Sequence, residues 1–160
     1  VALVLTRLDY GSATLAGLPE CLLSRLQSVI NAAARLIFRS AKHDHVTPLL
    51  RDLHWLRIRE RIDFRLATLA FRCLHSLAPP YLASDLQLVS GVESRRRLRS
   101  ADRHQLVVPP SNRKTIGDRA FTVAAPRVWN GLSSATTSQQ SLPAFKKALK
   151  TELFGRSFRD

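Results

Sequence analysis

A chain of 160 residues is long enough for one compact domain, or for one domain with a small appendage. Hydrophobic residues make up 45% of the chain, which excludes wholesale disorder. The charge is strongly positive, since 25 Lys and Arg stand against 12 Asp and Glu, a net charge of +13. Because 20 of the basic residues are Arg, whose planar guanidinium matches phosphate oxygens, the composition favours a polyanionic partner, nucleic acid first and an anionic membrane surface second. A basic surface without a dedicated partner is the alternative.

The sequence contains no Met and begins at Val1, which predicts a piece of a longer protein. The opening run VALVL is too short to span a membrane and has no basic region before it, so it is interpreted as neither a transmembrane span nor a signal peptide. Cys21 and Cys73 are too few and too far apart for a disulfide framework. This cysteine usage predicts a reducing, intracellular location, in the nucleus or the cytoplasm.

Helical spacing of apolar residues dominates the first half of the chain. A first helix is predicted over 1–16, ended by Gly17, and a second over 22–39. Thr47 with the proline after it predicts a short third helix, because a hydroxyl N-cap and a proline at the first helical position both favour helix starts. A longer fourth helix is predicted over 57–77, where two prolines end it.

The predicted second helix has two distinct faces. Seven apolar residues recur at steps of three and four and are expected to face a core: Leu22, Leu26, Val29, Ile30, Ala33, Leu36 and Ile37. The opposite side carries Arg25, Arg35 and Arg39 and no acidic residue. A core helix with a solvated basic rim and a helix that presents Arg to an anionic partner both fit this pattern.

The composition changes after the fourth helix. Residues 89–103 are charged, poor in apolar side chains and contain three consecutive Arg, so they are interpreted as a basic linker that is flexible or ordered by a partner. The sequence therefore predicts a mainly α protein in three parts. A bundle of about four to five helices over 1–88 is followed by the linker and by a small helical extension over 104–160.

The C-terminal extension is predicted to hold at most one short strand, at the Leu-Val-Val run 106–108. A helical stretch follows over 117–132, with Pro126 as its start or as a kink. Ser141 is predicted to cap a final helix that Gly155 ends.

The sequence contains none of the motifs GxxxxGK[ST], GxGxxG, GxSxG or HExxH. His43, His45, Cys21 and Cys73 lack the close pairing of structural zinc ligands. The cysteines are therefore interpreted as small core residues and the histidines as loop residues, and no metal, cofactor or small-molecule substrate is expected. Trp55 and Trp129 can each stack on nucleic-acid bases, contribute to an interface or pack in the core, and their aliphatic neighbours favour the core.

Seven blocks of the sequence, in this order, resemble a single family. The blocks are TRLDYGSATLAGLP, LLSRLQSVINAAARLI, HVTPLLRDLHWLRIRERIDFR, LAPPYL, RRLRSADRHQLVVPPS, GDRAFTVAAPRVWNGL and SLPAFKKALKTELF. They resemble the C-terminal segment of the reverse transcriptase polyprotein of LINE-type, jockey-like non-LTR retrotransposons of animal genomes. The resemblance covers essentially the whole chain. It departs from the family's usual pattern after DY, at Arg57 after LHWL and at Ser133 after WNGL.

The resemblance implies a part of an enzyme rather than a whole one. The family's polymerase holds two metal ions with palm carboxylates that include an aromatic-x-Asp-Asp turn, and this sequence contains no Asp-Asp pair. The chain would correspond to the helical thumb and C-terminal extension that follow the palm. In related polymerases these parts grip template and primer. The implied function is non-catalytic binding of RNA or DNA within an RNA-directed DNA polymerase, next to an upstream palm domain.

Contacts to the phosphate backbone would come from basic residues of the second and fourth helices, the linker and the extension. The candidates are Arg25, Arg35, Arg39, Arg57, Arg61, Arg65, Arg95, Arg96, Arg97, Lys114 and Arg119. The alternative function is a structural or protein-interaction helical domain from a decayed or co-opted element. Such a domain would bury Trp129 and the terminal helix against another chain. No membrane partner is expected.

Overall fold

The computed structural model of the protein describes residues 2–91, 104–111 and 117–158. These residues are mainly helical, which confirms the predicted fold class. The helices of the described ranges are α1 (Ala2–Asp9), α2 (Glu20–Phe38), α3 (Val46–Asp52), α4 (Ile58–Leu74), α5 (Pro80–Ala83), α6 (Phe121–Asn130), α7 (Ser134–Thr137) and α8 (Leu142–Ser157). Short 3₁₀ turns lie at Ser12–Leu15, Val89–Gly91 and Gly117–Arg119.

Helix α4 is the central element of the fold. It contacts α2, α5, α6, α8 and the 3₁₀ turn before α2, and it is buried along most of its length. Ala67 and Ala70 of α4 are fully buried, as is Ala125 of α6. Because small residues at a helix contact let the two axes approach closely, these alanines allow tight packing of α4 against its neighbours.

Three aromatic side chains join the helices around α4. The ring centroids of Phe71 on α4 and Phe145 on α8 lie 4.4 Å apart, and Trp129 on α6 lies 5.7 Å from Phe145. The indole N–H of Trp129 donates to the carbonyl of His104 at 2.9 Å, so its polar atom is satisfied inside the core. Buried residues from 1–88 and from 104–160 form one hydrophobic core. The boundary proposed at 89–103 therefore does not separate two cores.

The short strand-like piece is an isolated antiparallel bridge between Leu88 and Leu106. The backbone N–H of Val89 donates to the carbonyl of Gln105 at 2.8 Å. The side-chain amide of Asn130 forms two hydrogen bonds with the backbone of Leu106. Its oxygen accepts the Leu106 N–H and its nitrogen donates to the Leu106 carbonyl, each at 2.8 Å. The extended segment is thus held between two partners, although it is too short for a sheet.

Several helix ends differ from the sequence-based expectation. The first helix stops at Asp9, because Gly11 adopts φ +68°, a left-handed conformation that interrupts a helix. Helix α3 begins two residues early, with His45 as its N-cap in place of Thr47, so the predicted cap is wrong. Pro126 lies inside α6, so its interpretation as a helix start is wrong.

The final helix begins as predicted and ends later. The hydroxyl of Ser141 accepts the backbone N–H of Ala144 at 3.4 Å, which confirms the predicted cap. The helix then continues through Gly155 to Ser157, so the predicted stop is wrong. A glycine weakens a helix without ending it unless the chain leaves the right-handed conformation there.

The buried face of α2 also differs from the expectation. Leu22, Val29 and Leu36 are 38%, 43% and 75% exposed, although all were expected in the core. The buried residues of the helix are Leu23, Ile30, Ala33 and Ala34. The side-chain oxygen of Gln27 accepts the N–H of Ile58 at 2.8 Å, and this bond at the start of α4 draws a neighbouring sector of α2 inward.

No helix in the described ranges combines the length and the apolar character that crossing a membrane requires.

We expect Gly17→Ala to lower the free energy of unfolding by about 1–2 kcal/mol. Gly17 has φ +67°, and a Cβ atom there would lie 3.3 Å from Cγ of Arg119. Urea denaturation followed by circular dichroism measures the change. Gly155→Ala is the matched control, since a Cβ at Gly155 meets nothing within 4 Å and a helical alanine should stabilise by about 0.5–1 kcal/mol. Equal stability of Gly17→Ala and the parent would contradict the need for a left-handed residue.

Candidate nucleic-acid interface

The basic face of α2 is the most continuous group of sequence-predicted residues in the structure. Arg25 and Arg39 are exposed, and neither forms an ion pair with a described residue. Arg25 lies on α2 and Arg39 is the C-cap residue that follows the helix, so they stand 14 positions apart, which is about 21 Å along a helix axis. Glu20, the acidic residue of α2, pairs with Arg59 of α4. The Arg25–Arg39 side of the helix is therefore free of acidic residues, as expected.

Arg35 serves the loop that follows α2. Its Nη2 donates to the backbone carbonyl of Asp44 at 3.1 Å, while the Asp44 carboxylate accepts the N–H of Ala41 at 2.7 Å. The Arg35 side chain is half-buried, and its Nε has no hydrogen-bond partner among the described residues. Arg35 therefore fixes the loop, which in turn presents the exposed Lys42 beside the end of the basic face.

Arg61 and Arg65 are engaged by one carboxylate. Nε of Arg61 lies 2.6 Å from Oδ1 of Asp9, and Nη2 lies 3.0 Å from Oδ2. Nη2 of Arg65 lies 2.5 Å from the same Oδ2. Burial acts to raise the pKa of the Asp9 carboxyl, and the hydrogen bonds and charges of the two arginines outweigh it, so the pKa is lowered. This cluster ties α1 to α4, and it leaves the guanidinium of Arg61 largely occupied.

Arg57 lies beside Phe158, the residue that follows α8. Its guanidinium carbon is 5.4 Å from the ring centroid of Phe158, and that of Arg51 is 5.5 Å away. Nη2 of Arg51 also donates to the Phe158 carbonyl at 2.8 Å. These cation–π contacts hold α8 against the start of α4. Arg57 remains exposed.

The remaining candidates divide into one packed residue and four outside the described residues. Arg119 is half-buried in the 3₁₀ turn before α6, with Nε buried and unbonded by the described residues. Arg95, Arg96, Arg97 and Lys114 lie outside the described ranges.

Lysine residues of α8 form a second basic surface that the candidate set omitted. Lys146, Lys147 and Lys150 are exposed, and their spacing of one, three and four residues puts them on one side of the helix. The spacing is visible in the sequence and could have identified them. Lys42, by contrast, gains its place only through the loop contact made by Arg35.

The cysteines and histidines form no cluster that could ligate a metal within the described part of the chain. Cys73 is buried, as expected, and burial raises the pKa of its thiol. Cys21 is exposed, so its interpretation as a core residue is wrong. Cys21 lies four positions before Arg25, so it falls on the exposed basic side of α2.

Among the acidic side chains that the structure describes, Asp63 alone has a strongly raised pKa. Burial and, to a smaller extent, the nearby Glu60 raise the pKa of its carboxyl to about 6, although the charges of Arg156 and Arg59 oppose the shift. Asp63 accepts no hydrogen bond from the residues that the structure describes. It lines a cavity of about 260 Å³ between the turn before α2, α4 and α6. An ionised carboxylate at this position therefore costs stability.

Comparison of the chain with known protein families, with curated proteins and with solved structures finds no match.

We expect Asp63→Asn to raise the free energy of unfolding at pH 7.5 by about 1–3 kcal/mol. The folded-state pKa of about 6 lies above the unfolded value, so the folded protein binds the proton more tightly and the ionised carboxylate destabilises it above pH 6. The difference should shrink as the pH falls from about 6 to about 4. Urea denaturation at about pH 7.5 and at about pH 4 measures this difference. The substitution Asp52→Asn at an exposed position is the control. A less stable Asp63→Asn at pH 7.5 would contradict the prediction.

Proposed function

We propose that this chain is the non-catalytic, nucleic-acid-binding part of a reverse transcriptase of the LINE-type, non-LTR class. It would correspond to the thumb and C-terminal extension that follow the palm, and its partners would be RNA or DNA and the upstream palm domain. The observation that carries the proposal is the acid-free face of α2. There, Arg25 and Arg39 are exposed and unpaired within the described residues.

The size of this face suits a nucleic-acid backbone. The span of about 21 Å between the two arginines covers about six nucleotide steps of one strand at 3.4 Å per step. Contacts of this kind bind phosphates without reading the base sequence. The net charge of +13 supports the same conclusion, because acidic side chains neutralise only part of the basic surface. The sequence blocks that resemble the retrotransposon family supply the specific class of parent enzyme.

We expect the chain to bind an RNA/DNA hybrid with an affinity that falls steeply as salt rises, because counterions are released from the phosphates. Substituting Arg25→Gln and Arg39→Gln together should weaken binding and reduce the slope of log affinity against log salt by about 1.4–1.8, which is about 0.7–0.9 per lost phosphate contact. Fluorescence anisotropy of a labelled hybrid between 50 and 200 mM salt, about the range over which such contacts respond, measures both quantities.

The charge-matched control combines Arg7→Gln and Arg72→Gln, two exposed arginines on α1 and α4. It lowers the net charge equally and should leave the slope near the parent value. An equal effect of both double variants would show that α2 is not the interface. Absence of binding even at low salt would refute nucleic-acid binding altogether.

A second function, protein interaction, has one observation in its favour. Leu22, Val29 and Leu36 form an exposed apolar row on α2, bordered by Arg25. The version of this function that uses Trp129 is wrong, because Trp129 is 2% exposed and packs inside the chain. The partner would be a protein surface with an apolar centre and acidic surroundings. Sedimentation velocity at moderate salt separates the two functions, since an assembly held by this row resists salt and one held by phosphates does not.

A further inference from the structure

A small cavity between α1, the α3–α4 corner and α8 combines aromatic and basic side chains. It measures about 270 Å³. Its aromatic wall consists of His54, Trp55 and Phe64, and its basic wall of Arg61, Arg65 and Lys150. Flat apolar surface beside cationic groups is the combination that recognises a nucleotide, whose base is a flat ring and whose phosphate is an anion.

The aromatic wall is held in place by the backbone of the corner. His54 adopts φ +53°, a conformation that costs a non-glycine residue free energy and persists only where its surroundings hold it. Its N–H donates to the carbonyl of Arg51 at 2.9 Å, and the N–H of Trp55 donates to the carbonyl of Leu50 at 2.9 Å. The His54 ring stacks on Phe154, with centroids 5.7 Å apart. The half-buried Trp55 therefore stands at the cavity in a fixed position before any ligand arrives.

The basic wall keeps an excess of positive charge. Asp9 lines the cavity and is bound by Arg61 and Arg65. One carboxylate thus offsets three cations, and the Arg65 side chain remains 48% exposed. Lys150 is exposed and pairs with none of the acidic side chains that the structure describes. An anionic group at the mouth of the cavity would therefore meet Arg65 and Lys150.

We propose that this cavity binds one nucleotide of a single-stranded segment, with its base against Trp55 and Phe64 and its phosphate near Arg65 and Lys150. The site rests on the proposed nucleic-acid-binding function and adds to it a contact with a base. The cavity is smaller than the roughly 300 Å³ at which ordinary ligand sites begin, which suits a single base rather than an extended ligand. The exposed Lys146 and Lys147 lie beside Lys150 on α8 and can follow the neighbouring phosphates.

The test compares two probes that differ only in their bases. One is a fluorescein-labelled oligothymidylate of about ten nucleotides, within the length that single-strand binding folds cover, and the other is the same strand with abasic sites in its centre. The full chain should bind the strand with bases about tenfold more tightly, because stacking on an aromatic side chain contributes on this scale. Trp55→Leu should remove the preference by weakening only the strand with bases.

Three further variants separate base stacking from charge and from folding. Trp55→Phe keeps an aromatic ring and should keep most of the preference, and Tyr81→Leu removes a 70% exposed aromatic residue outside the cavity and should keep all of it. Lys150→Gln should weaken both probes by the same factor, since it contacts phosphate. Circular dichroism of each variant checks that the fold is intact.

Loss of the preference in Trp55→Leu with its retention in Trp55→Phe and Tyr81→Leu supports the site. Equal affinity of the parent chain for the two strands refutes the nucleotide site and leaves backbone binding by α2 standing. Failure of the parent to bind either strand also refutes the nucleotide site, whereas the proposed function is refuted only if the RNA/DNA hybrid is not bound at low salt.

Discussion

The contact of Phe71 with Phe145 is the interaction on which the rest of the structure depends. It joins the last turn of α4 to α8 through two residues that are 74 positions apart in the chain, and their rings stack at 4.4 Å with both residues fully buried. Trp129 extends the cluster to α6. Aromatic side chains bury more area than any others, so a cluster of three holds the distant segments together. The helices before residues 89–103 and those after them therefore share a single hydrophobic core.

This core also decides which charges are available at the surface. Several arginines are used within the fold: Arg61 and Arg65 hold α1 through Asp9, and Arg51 holds the end of α8. Four acidic residues are engaged in ion pairs within the described part of the chain: Asp9, Glu20, Asp118 and Glu152. The exposed cations that remain include Arg25 on α2, Arg39 directly after it, and Lys146, Lys147 and Lys150 on α8. A surface of this kind attracts polyanions. Salt weakens the contacts between exposed cations and a bound polyanion more than it weakens ion pairs that are partly buried in the fold.

Much of the secondary structure follows from local patterns in the sequence. The positions of α2, α4 and α8, the cap at Ser141 and the extended piece around Leu106 were all predicted. Side-chain periodicity, proline geometry and hydroxyl caps each act within a few residues, so they can be seen without knowing the fold. The errors at helix ends have the same cause. Gly11 ends a helix and Gly155 does not, because the conformation of each glycine is set by its surroundings.

What the sequence by itself determined is therefore a basic, mainly helical chain with an acid-free face on its second helix. The tertiary structure decided which sector of that helix is buried, since Gln27 bonds the start of α4 and leaves Leu36 in solvent. It also decided that Arg61 binds Asp9, a partner 52 positions away. Helical periodicity is a local property with a 3.6-residue repeat, and it limits the choice of buried face to neighbouring sectors. The final choice requires partners that are distant in the chain and meet only when the core forms.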